Sequence, residues 1–417
     1  MTLTEQMTAV DHRHARVPDY ERWPAIRTPA HAPRRATVAR AVLQRVAHQT
    51  GIRVELPDAS WFGHPDGPRM RVHRPDDFFT RIGRDGKIGF GEAYMAGDWD
   101  AAGDLADLLE PMARNLRTLI PARLQWLRRF YEPAPPAEED NDASGARRNI
   151  ARHYDLSNEL FALFLDPTMT YSSALFAQPG ESLEQAQIRK LERILDSAHV
   201  SDGTRVLEIG TGWGELAIRA ARRGATVTTL TLSHEQAAMA RRRIAGEGLS
   251  GSVDVLEQDY RLSSGRFDAV VSVEMIEAVG ERWWPGYFQT LEARLAPGGR
   301  AALQSILMPH DAMIATRRSW TWIHKYIFPG GIIPSLDAIE QTLVEHTSLR
   351  IVERSHFGTS YAETLRRWRD GFDRQADAVD ALGFDEVFRR MWDFYLAYSE
   401  AGFRSGYLDV AQLVLSR

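Results

Sequence analysis

Residues 206–214, with the sequence VLEIGTGWG, constrain the fold of this chain more than any other segment. An apolar stretch runs directly into three glycines, Gly210, Gly212 and Gly214, spaced two residues apart. Glycine lacks a Cβ atom, so the backbone can turn sharply there and lie against a ligand. Residues 215–223 then have helical character. The segment therefore predicts a strand, a tight turn and a helix whose first N–H groups face a ligand.

The spacing of the glycines narrows the class of ligand. A dinucleotide fingerprint does not fit because the third glycine comes one residue early, and no Gly-Lys-Ser/Thr of a phosphate loop follows. The turn contains no lysine or arginine that could hold a polyphosphate. Glu208 ends the strand, where its carboxylate can accept hydrogen bonds from the ligand. We therefore predict an adenosyl group without phosphates; the alternative is a tight turn that binds nothing.

Strand-like and helix-like runs alternate from about residue 145 to the end. The predicted strands are 205–209, 226–231, 253–257, 269–273, 300–307 and 412–416. Such alternation predicts βαβ units, and thus an α/β fold with a largely parallel sheet. A ligand site should then lie beyond the carboxyl ends of the strands. The polar residues that follow the strands there are Thr231, Ser233, Gln236, Gln258, Asp259, Glu274 and Glu277.

The first third of the chain has a different character. Residues 1–35 are rich in Pro, Ala and Arg and predict an irregular arm. Residues 36–131 predict a smaller α+β domain with a helix at 36–50, strands at 52–56, 69–73 and 87–90, and a basic amphipathic helix at 114–129. The acidic, proline-rich segment 132–144 predicts a linker. Residues 145–417 then form the larger domain.

Charge and composition exclude several classes of function. The net charge of −5 argues against a nucleic-acid binder, and the absence of cysteine excludes disulfides and thiolate metal sites. No histidine spacing indicates a metal site, and no apolar run approaches the length of a membrane span. Seven arginines and no acid lie between residues 22 and 54. Basic stretches like this one favour an anionic membrane surface, although a solvated helix face is the alternative.

Several motifs together resemble one family, the cyclopropane fatty acid and mycolic acid synthases, which are S-adenosylmethionine-dependent methyltransferases. The resemblance covers roughly residues 145–417, with a weaker match at 91–95. It implies a Rossmann-like class I methyltransferase domain with a mostly parallel seven-stranded sheet. The matching segments are 153–158 (HYDLSN), 170–174 (TYSSA), 207–214, 232–233, 258–261 (QDYR), 325–330 (KYIFPG) and 402–404 (GFR).

The resemblance also implies the two halves of the site. S-adenosylmethionine would be the cofactor, and its site would contain Tyr154, Tyr171, Ser172, Glu208, Gly210, Gly212, Gly214, Thr231, Ser233, Gln236, Gln258 and Asp259. In the cyclopropane synthases a bound bicarbonate is the base, held by a Cys, a Glu, a His, an Ile backbone group and a Tyr. Three positions match, Glu277, Ile306 and Tyr361, whereas the cysteine is Ser173 and the histidine is Gln304. Use of bicarbonate is therefore left open.

We interpret these departures as a changed proton-removal step. An alkene attacks the sulfonium methyl group and leaves a carbocation on the acyl chain, which must lose a proton to a base. The hypothesis is that a hydride shifts first, so that an oleoyl chain becomes a 10-methylene chain. Without bicarbonate, a protein carboxylate must act as the base. Glu277 is the first candidate, and Glu274 and Glu159 are weaker ones.

The resemblance also implies partners and a location. The partners are a phospholipid with an unsaturated acyl chain, a membrane surface, and a flavin- or nicotinamide-dependent reductase that acts on the product; a homo-oligomer is a further option, and no nucleic acid is expected. The expected location is the cytoplasm, at the inner face of the membrane. Three alternatives stay open: an ordinary cyclopropane synthase, a non-catalytic lipid-binding scaffold, and a methyltransferase of small molecules with an N or O nucleophile.

Overall fold

The computed structural model describes residues 19–116, 136, 139, 141, 142, 145 and 157–417. Its helices are α1 Pro33–Thr50, α2 Pro75–Met95, α3 Leu105–Arg114, α4 Asn158–Ala162, α5 Leu183–Ser197, α6 Glu215–Arg222, α7 His234–Gly246, α8 Trp284–Arg294, α9 His310–Thr316, α10 Trp322–Tyr326, α11 Leu336–His346, α12 Gly358–Arg374, α13 Ala376–Ala381 and α14 Glu386–Arg404. Its strands are β1 Arg53–Glu55, β2 Trp61–Gly63, β3 Arg69–Val72, β4 Trp99–Ala101, β5 Arg205–Ile209, β6 Thr226–Thr231, β7 Val253–Glu257, β8 Phe267–Val273, β9 Leu295–Leu307, β10 Arg350–His356 and β11 Asp409–Ser416.

The larger sheet has seven strands in the order β10-β11-β9-β8-β5-β6-β7. Strands β5 to β9 pair in parallel, and β11 runs antiparallel to both β9 and β10. This confirms the predicted mostly parallel α/β sheet. Successive residues of one strand face opposite sides, so Leu207 belongs to the apolar cluster on one face and Val206 to the cluster on the other. With both faces covered, the strand ends are where polar groups meet a cavity.

A four-stranded sheet, in the order β2-β1-β3-β4, forms the N-terminal part with α1, α2 and α3. Its apolar residues share one large cluster with α12 and α14, in which Trp99 and Phe78 join Trp368 and Trp392. The buried guanidinium of Arg81 ties the preceding segment to this core, donating to the carbonyl oxygens of residues 25–27. The N-terminal part is thus built onto the C-terminal helices.

The predicted strand at 87–90 is wrong, because these residues lie inside α2. Three glycines lower the helix propensity of this segment, so its sequence pattern did not indicate a helix. Gly86 has φ 56° and marks a kink between the two halves of the helix, and Gly91 packs against an indole ring. Ile88, Gly91 and Met95 nevertheless recur at helical spacing on the buried side. Close packing, which requires glycine there, outweighed the low helix propensity of that residue.

Other predictions of local structure differ only at their limits. Helix α1 begins at Pro33 rather than residue 36 and ends before Gly51, whose φ of 73° suits glycine. Strands β2, β4 and β10 were not predicted. The basic helix at 114–129 and the linker at 132–144 lie almost wholly outside the described residues, so the domain boundaries stay a prediction. Among the described residues, no helix is both long and apolar enough to cross a bilayer.

Two of the sequence motifs form one contact in the structure. The carboxylate of Glu92, on α2, is buried and accepts hydrogen bonds from Lys325 Nζ and, at 2.9 Å, from the Tyr326 hydroxyl. One turn away along α10, the indole of Trp322 lies directly over Gly91. The segment 325–330 therefore serves to join the N-terminal part to the larger sheet.

We predict that Gly91→Ala lowers the free energy of unfolding by about 1–3 kcal/mol, the usual range for overpacking a core. A Cβ atom there would lie 2.5 Å from Cδ1 of Trp322, which is buried and cannot move aside. Urea unfolding measures the change. Gly103→Ala is the matched control, since a Cβ at Gly103 meets nothing within 4 Å. Equal stability of the two variants would contradict this account of the contact.

Candidate active site

A cavity opens at the carboxyl ends of β5, β6 and β8, where the sequence predicted it. Of the predicted cofactor residues, nine form its wall: Tyr171, Ser172, Glu208, Gly210, Gly212, Thr231, Gln236, Gln258 and Asp259. Tyr154 lies outside the described residues. Gly214 and Ser233 do not reach the cavity. A Cβ at Gly214 would lie 3.1 Å from Ala240 Cβ, and Ser233 caps α7, so both have local structural roles.

The glycine turn leaves room where a ligand would pass. Gly210, Gly212 and Gly214 all have positive φ, a conformation that side chains rarely tolerate. A Cβ at Gly212 would meet nothing within 4 Å, whereas one at Gly210 would lie 3.0 Å from Met275 Cγ. The backbone of Gly212 therefore faces open space, and α6 begins three residues later with its N-terminus beside it.

Glu208 is buried at the end of β5 and accepts a hydrogen bond of 2.6 Å from Thr229 Oγ1. Burial raises the pKa of its carboxyl group to about 8, although the Thr229 hydroxyl and the charge of Lys190 oppose the rise. The protonated form of this group is therefore favoured at neutral pH. Hydrogen bonds from ligand hydroxyls would favour its ionised form.

The second half of the site surrounds Glu274, which follows β8 and also lines the cavity. Oε1 of Glu274 accepts hydrogen bonds from the Ser173 backbone N–H at 2.9 Å and from Gln304 Nε2 at 2.8 Å. Oε2 accepts one from the Tyr361 hydroxyl at 2.7 Å. Glu274 has φ 51°, an uncommon conformation for a non-glycine residue. The backbone thus turns this carboxylate onto three of the predicted catalytic residues.

Glu277 lies next to this group but has other partners. Its Oε1 accepts hydrogen bonds from the Ile306 N–H at 2.5 Å and from Ser305 Oγ at 3.0 Å, while the buried Oε2 has no partner among the described residues. Burial, and then the neighbouring charge of Glu274, raise its pKa to about 8. We infer that Glu277 is protonated at neutral pH and that Glu274 is the ionised member of the pair.

The third candidate base lies elsewhere. Glu159 is exposed on the first turn of α4 and does not line the cavity. The side chain of Ser173 also turns away, because its hydroxyl donates to the carbonyl oxygen of Ala174. Ser173 therefore contributes its backbone N–H rather than its hydroxyl.

Aromatic rings pack around Tyr171, which lines the cavity, and around Tyr361, which donates a hydrogen bond to Glu274. Tyr171 lies 5.1 Å from Trp368, and Tyr361 lies 4.4 Å from Phe403, measured between ring centroids. The Tyr171 and Tyr395 hydroxyls are hydrogen bonded at 2.8 Å. Aromatic faces attract cations and exclude water. Trp284, Tyr287 and Phe288, on α8, do not belong to this aromatic group, because they lie in the core under the sheet.

Sequence reasoning missed several wall residues, and two polar ones are Asn141 and Lys190. Asn141 belongs to the predicted linker, and its Nδ2 donates to the Gly330 carbonyl oxygen at 2.8 Å. Lys190, on α5, is fully buried. A lysine in the middle of an amphipathic helix gives no sequence signal of burial, since most lysines are exposed.

Seven strands with one antiparallel member, a glycine turn after the first parallel strand, and a cavity at the carboxyl ends define a class I S-adenosylmethionine-dependent methyltransferase. The chain belongs to the family described as mycolic acid cyclopropane synthetase, whose model matches residues 141–413. That family is the one its motifs resemble.

Similar proteins extend over most of the chain. It is 51% identical over 411 residues to the tuberculostearic acid methyltransferase UfaA1 of Mycobacterium tuberculosis, covering 96% of each chain. It is 36% identical over 354 residues to the cyclopropane-fatty-acyl-phospholipid synthase of Escherichia coli, covering 84% of this chain and 87% of that one. A crystal structure of mycolic acid cyclopropane synthase CmaA1 with SAH and CTAB aligns with TM-score 0.60 at 30% identity, over 65% of this chain and 98% of that one.

We predict that binding of S-adenosylhomocysteine near pH 7 releases up to one proton, because hydrogen bonds from the ligand hydroxyls lower the raised pKa of Glu208. Calorimetry in buffers with different ionisation enthalpies measures the number of protons. In Glu208→Gln the release should disappear, since the amide does not titrate. A binding enthalpy of the unchanged protein that is independent of the buffer would contradict this role.

Proposed function

We propose that this enzyme transfers a methyl group from S-adenosylmethionine to the cis double bond of an unsaturated acyl chain of a phospholipid and forms a methylene branch. The observation that carries the proposal is the position of Glu274. Three of the five groups that the family resemblance assigns to a bicarbonate site, at Ser173, Gln304 and Tyr361, donate instead to this side chain. The other two, Glu277 and the Ile306 N–H, contact each other.

One oxygen of Glu274 is suited to accept the proton. A carboxylate offers about four lone-pair positions, two on each oxygen. Counting contacts with the described residues, Oε1 uses two of them for Ser173 and Gln304, whereas Oε2 uses one for Tyr361 and keeps one. Burial raises the pKa of Glu274, and the donors around it oppose the rise. A raised pKa makes the carboxylate a better base at neutral pH.

The proposed steps balance without another reactant. The alkene carbon C10 of an oleoyl chain takes the methyl group from the sulfonium sulfur, which leaves S-adenosylhomocysteine and a cation at C9. A hydride moves from C10 to C9, and the cation becomes tertiary. Glu274 then removes a proton from the new methyl group, and the electron pair of that C–H bond forms the double bond between C10 and the former methyl carbon.

A carboxylate held by three hydrogen bonds favours this order of events. Its approach to the methyl group is restricted by the backbone of residue 274, whereas the hydride shift requires no protein group. The aromatic rings of Tyr171 and Tyr361 stabilise the cation in the meantime. An ordinary cyclopropane synthase remains the second candidate, supported by the name of the Escherichia coli relative.

A phospholipid substrate implies contact with a membrane surface. The exposed side of α1 is suited to this contact. Arg34, Val38, Val42 and Arg45 lie on one side of this helix, opposite the buried Leu43. Val38 is 64% exposed and Val42 is 55% exposed. The helix carries no acidic residue, and in the described ranges no carboxylate forms an ion pair with Arg34 or Arg45. Exposed valines between arginines are complementary to an anionic bilayer.

We predict that Glu274→Gln lowers the rate at which methylene-branched product forms from oleoyl phospholipid by about 10²-fold or more, the usual contribution of a general base. Glu277→Gln should retain most of the activity, because an amide resembles the protonated acid. Cells that express each variant and are fed oleate supply lipids for mass spectrometry. A cyclopropane product from the unchanged enzyme would contradict the methylene proposal, and so would an active Glu274→Gln enzyme.

We predict that Arg45→Glu weakens binding to vesicles containing phosphatidylglycerol by roughly tenfold or more, since each basic residue near an anionic surface contributes about 1 kcal/mol. Arg242→Glu, at an exposed position of α7, is the control with the same change of charge. Cosedimentation measures both. Equal binding by the two variants would contradict the role of α1, as would a concentration-dependent dimer of the unchanged protein that Arg45→Glu dissociates.

A further inference from the structure

Lys190 is the basic side chain buried most deeply at this cavity. It lies on α5, has no exposed surface, and donates from Nζ to Ser172 Oγ at 2.6 Å. Among the residues that the structure describes, one other basic side chain lines the cavity, that of Arg261, and it is paired with Asp259. A buried ammonium group is costly unless other charges compensate it. Its retention therefore requires a reason within the site.

Three carboxyl groups from three separate segments interact electrostatically with Lys190. They belong to Asp166, before α5, to Glu208 at the end of β5, and to Glu274 after β8. Burial lowers the pKa of Lys190 to about 8, and these carboxylates, Glu274 first, oppose that fall. In turn, the ammonium charge opposes the rise in the pKa of Glu208 and of Glu274. The other groups around Glu274 are Glu277, Gln304 and Tyr361.

Helix α5 also holds the loop between the two halves of the site. Gln187, one turn before Lys190, donates from Nε2 to the carbonyl oxygens of Thr170 at 3.2 Å and Ser172 at 2.8 Å. The next residue of that loop, Ser173, donates its N–H to Glu274. A displacement of the loop would therefore move the Ser173 N–H, which donates a hydrogen bond to Glu274.

The hydrogen bond from Lys190 also orients the Ser172 hydroxyl. An ammonium group can only donate, so Ser172 Oγ is the acceptor and its own hydrogen is left to donate elsewhere. Because Ser172 lines the cavity, that donor is available to an anionic group of a bound ligand. The carboxylate of the methionyl part of the methyl donor is such a group.

We propose that Lys190 is a positioning residue, which orients Ser172 toward the methionyl carboxylate of the donor and supplies the positive charge that keeps Glu274 ionised. The proposal rests on the proposed function in one respect, namely that Glu274 is the base. It assigns two separable effects to one side chain. The hydrogen bond to Ser172 governs binding of the methyl donor. The positive charge of Lys190 governs the pH above which Glu274 is ionised.

The test compares Lys190→Met, which removes both the hydrogen bond and the charge, with Lys190→Gln, which keeps a donor without the charge. In Lys190→Met the dissociation constant of S-adenosylhomocysteine should rise about tenfold to a hundredfold, as expected for a charged hydrogen bond. Lys190→Gln should bind the ligand more tightly than Lys190→Met. In both variants the acid limb of the pH profile of kcat should move to higher pH. Glu274 loses a neighbouring cation there, so its pKa rises and it ionises at a higher pH.

Arg193→Met is the control, since it removes a positive charge from the same helix at a position outside the cavity wall. It should bind and titrate like the unchanged enzyme. A pH profile of Lys190→Gln that coincides with that of the control would overturn the electrostatic role, and unchanged ligand affinity in Lys190→Met would overturn the role of Ser172. These readouts do not depend on the product, so a cyclopropane product would refute the proposed function without affecting them.

Discussion

The carboxylate of Glu274 joins three distant parts of the chain with three hydrogen bonds. The Ser173 N–H belongs to the loop before α5, Gln304 to the strand β9, and Tyr361 to the first turns of α12. Each donor is buried, so loss of the common acceptor would leave polar groups unsatisfied. The position of this acceptor in turn depends on the positive φ of residue 274. The reactive half of the site is therefore organised around one side chain.

Burial and the charge of Lys190 together govern which carboxyl groups of the site are ionised. Burial raises the pKa of Glu208, Glu274 and Glu277, and the ammonium charge of Lys190 opposes this rise for Glu208 and Glu274. Protonation of Glu277 lets Glu274 retain its negative charge beside Lys190. The donor half of the cavity and the base thus share one electrostatic environment, in which binding a ligand to Glu208 changes the charge that Lys190 must compensate.

The sequence predicted the large sheet well because its strands are apolar runs that end in glycines or polar residues. It also predicted nine wall residues of the cavity, since these follow strands whose carboxyl ends must meet. It failed at 87–90, where glycines required for packing disguised a helix. It ranked Glu277 above Glu274 as a candidate base, because the positive φ that directs Glu274 toward Tyr361 cannot be read from the amino-acid sequence. The burial of Lys190 depends on contacts between segments far apart in the chain.

In the proposed order of steps, a hydride moves before Glu274 removes the proton. The most direct test uses a phospholipid with an oleoyl chain that carries deuterium at C9 and C10, together with the purified enzyme and S-adenosylmethionine. NMR of the product should show both deuterium atoms on C9 and a methylene group joined to C10 by a double bond. A three-membered ring with one deuterium on each of the two original alkene carbons would contradict the account.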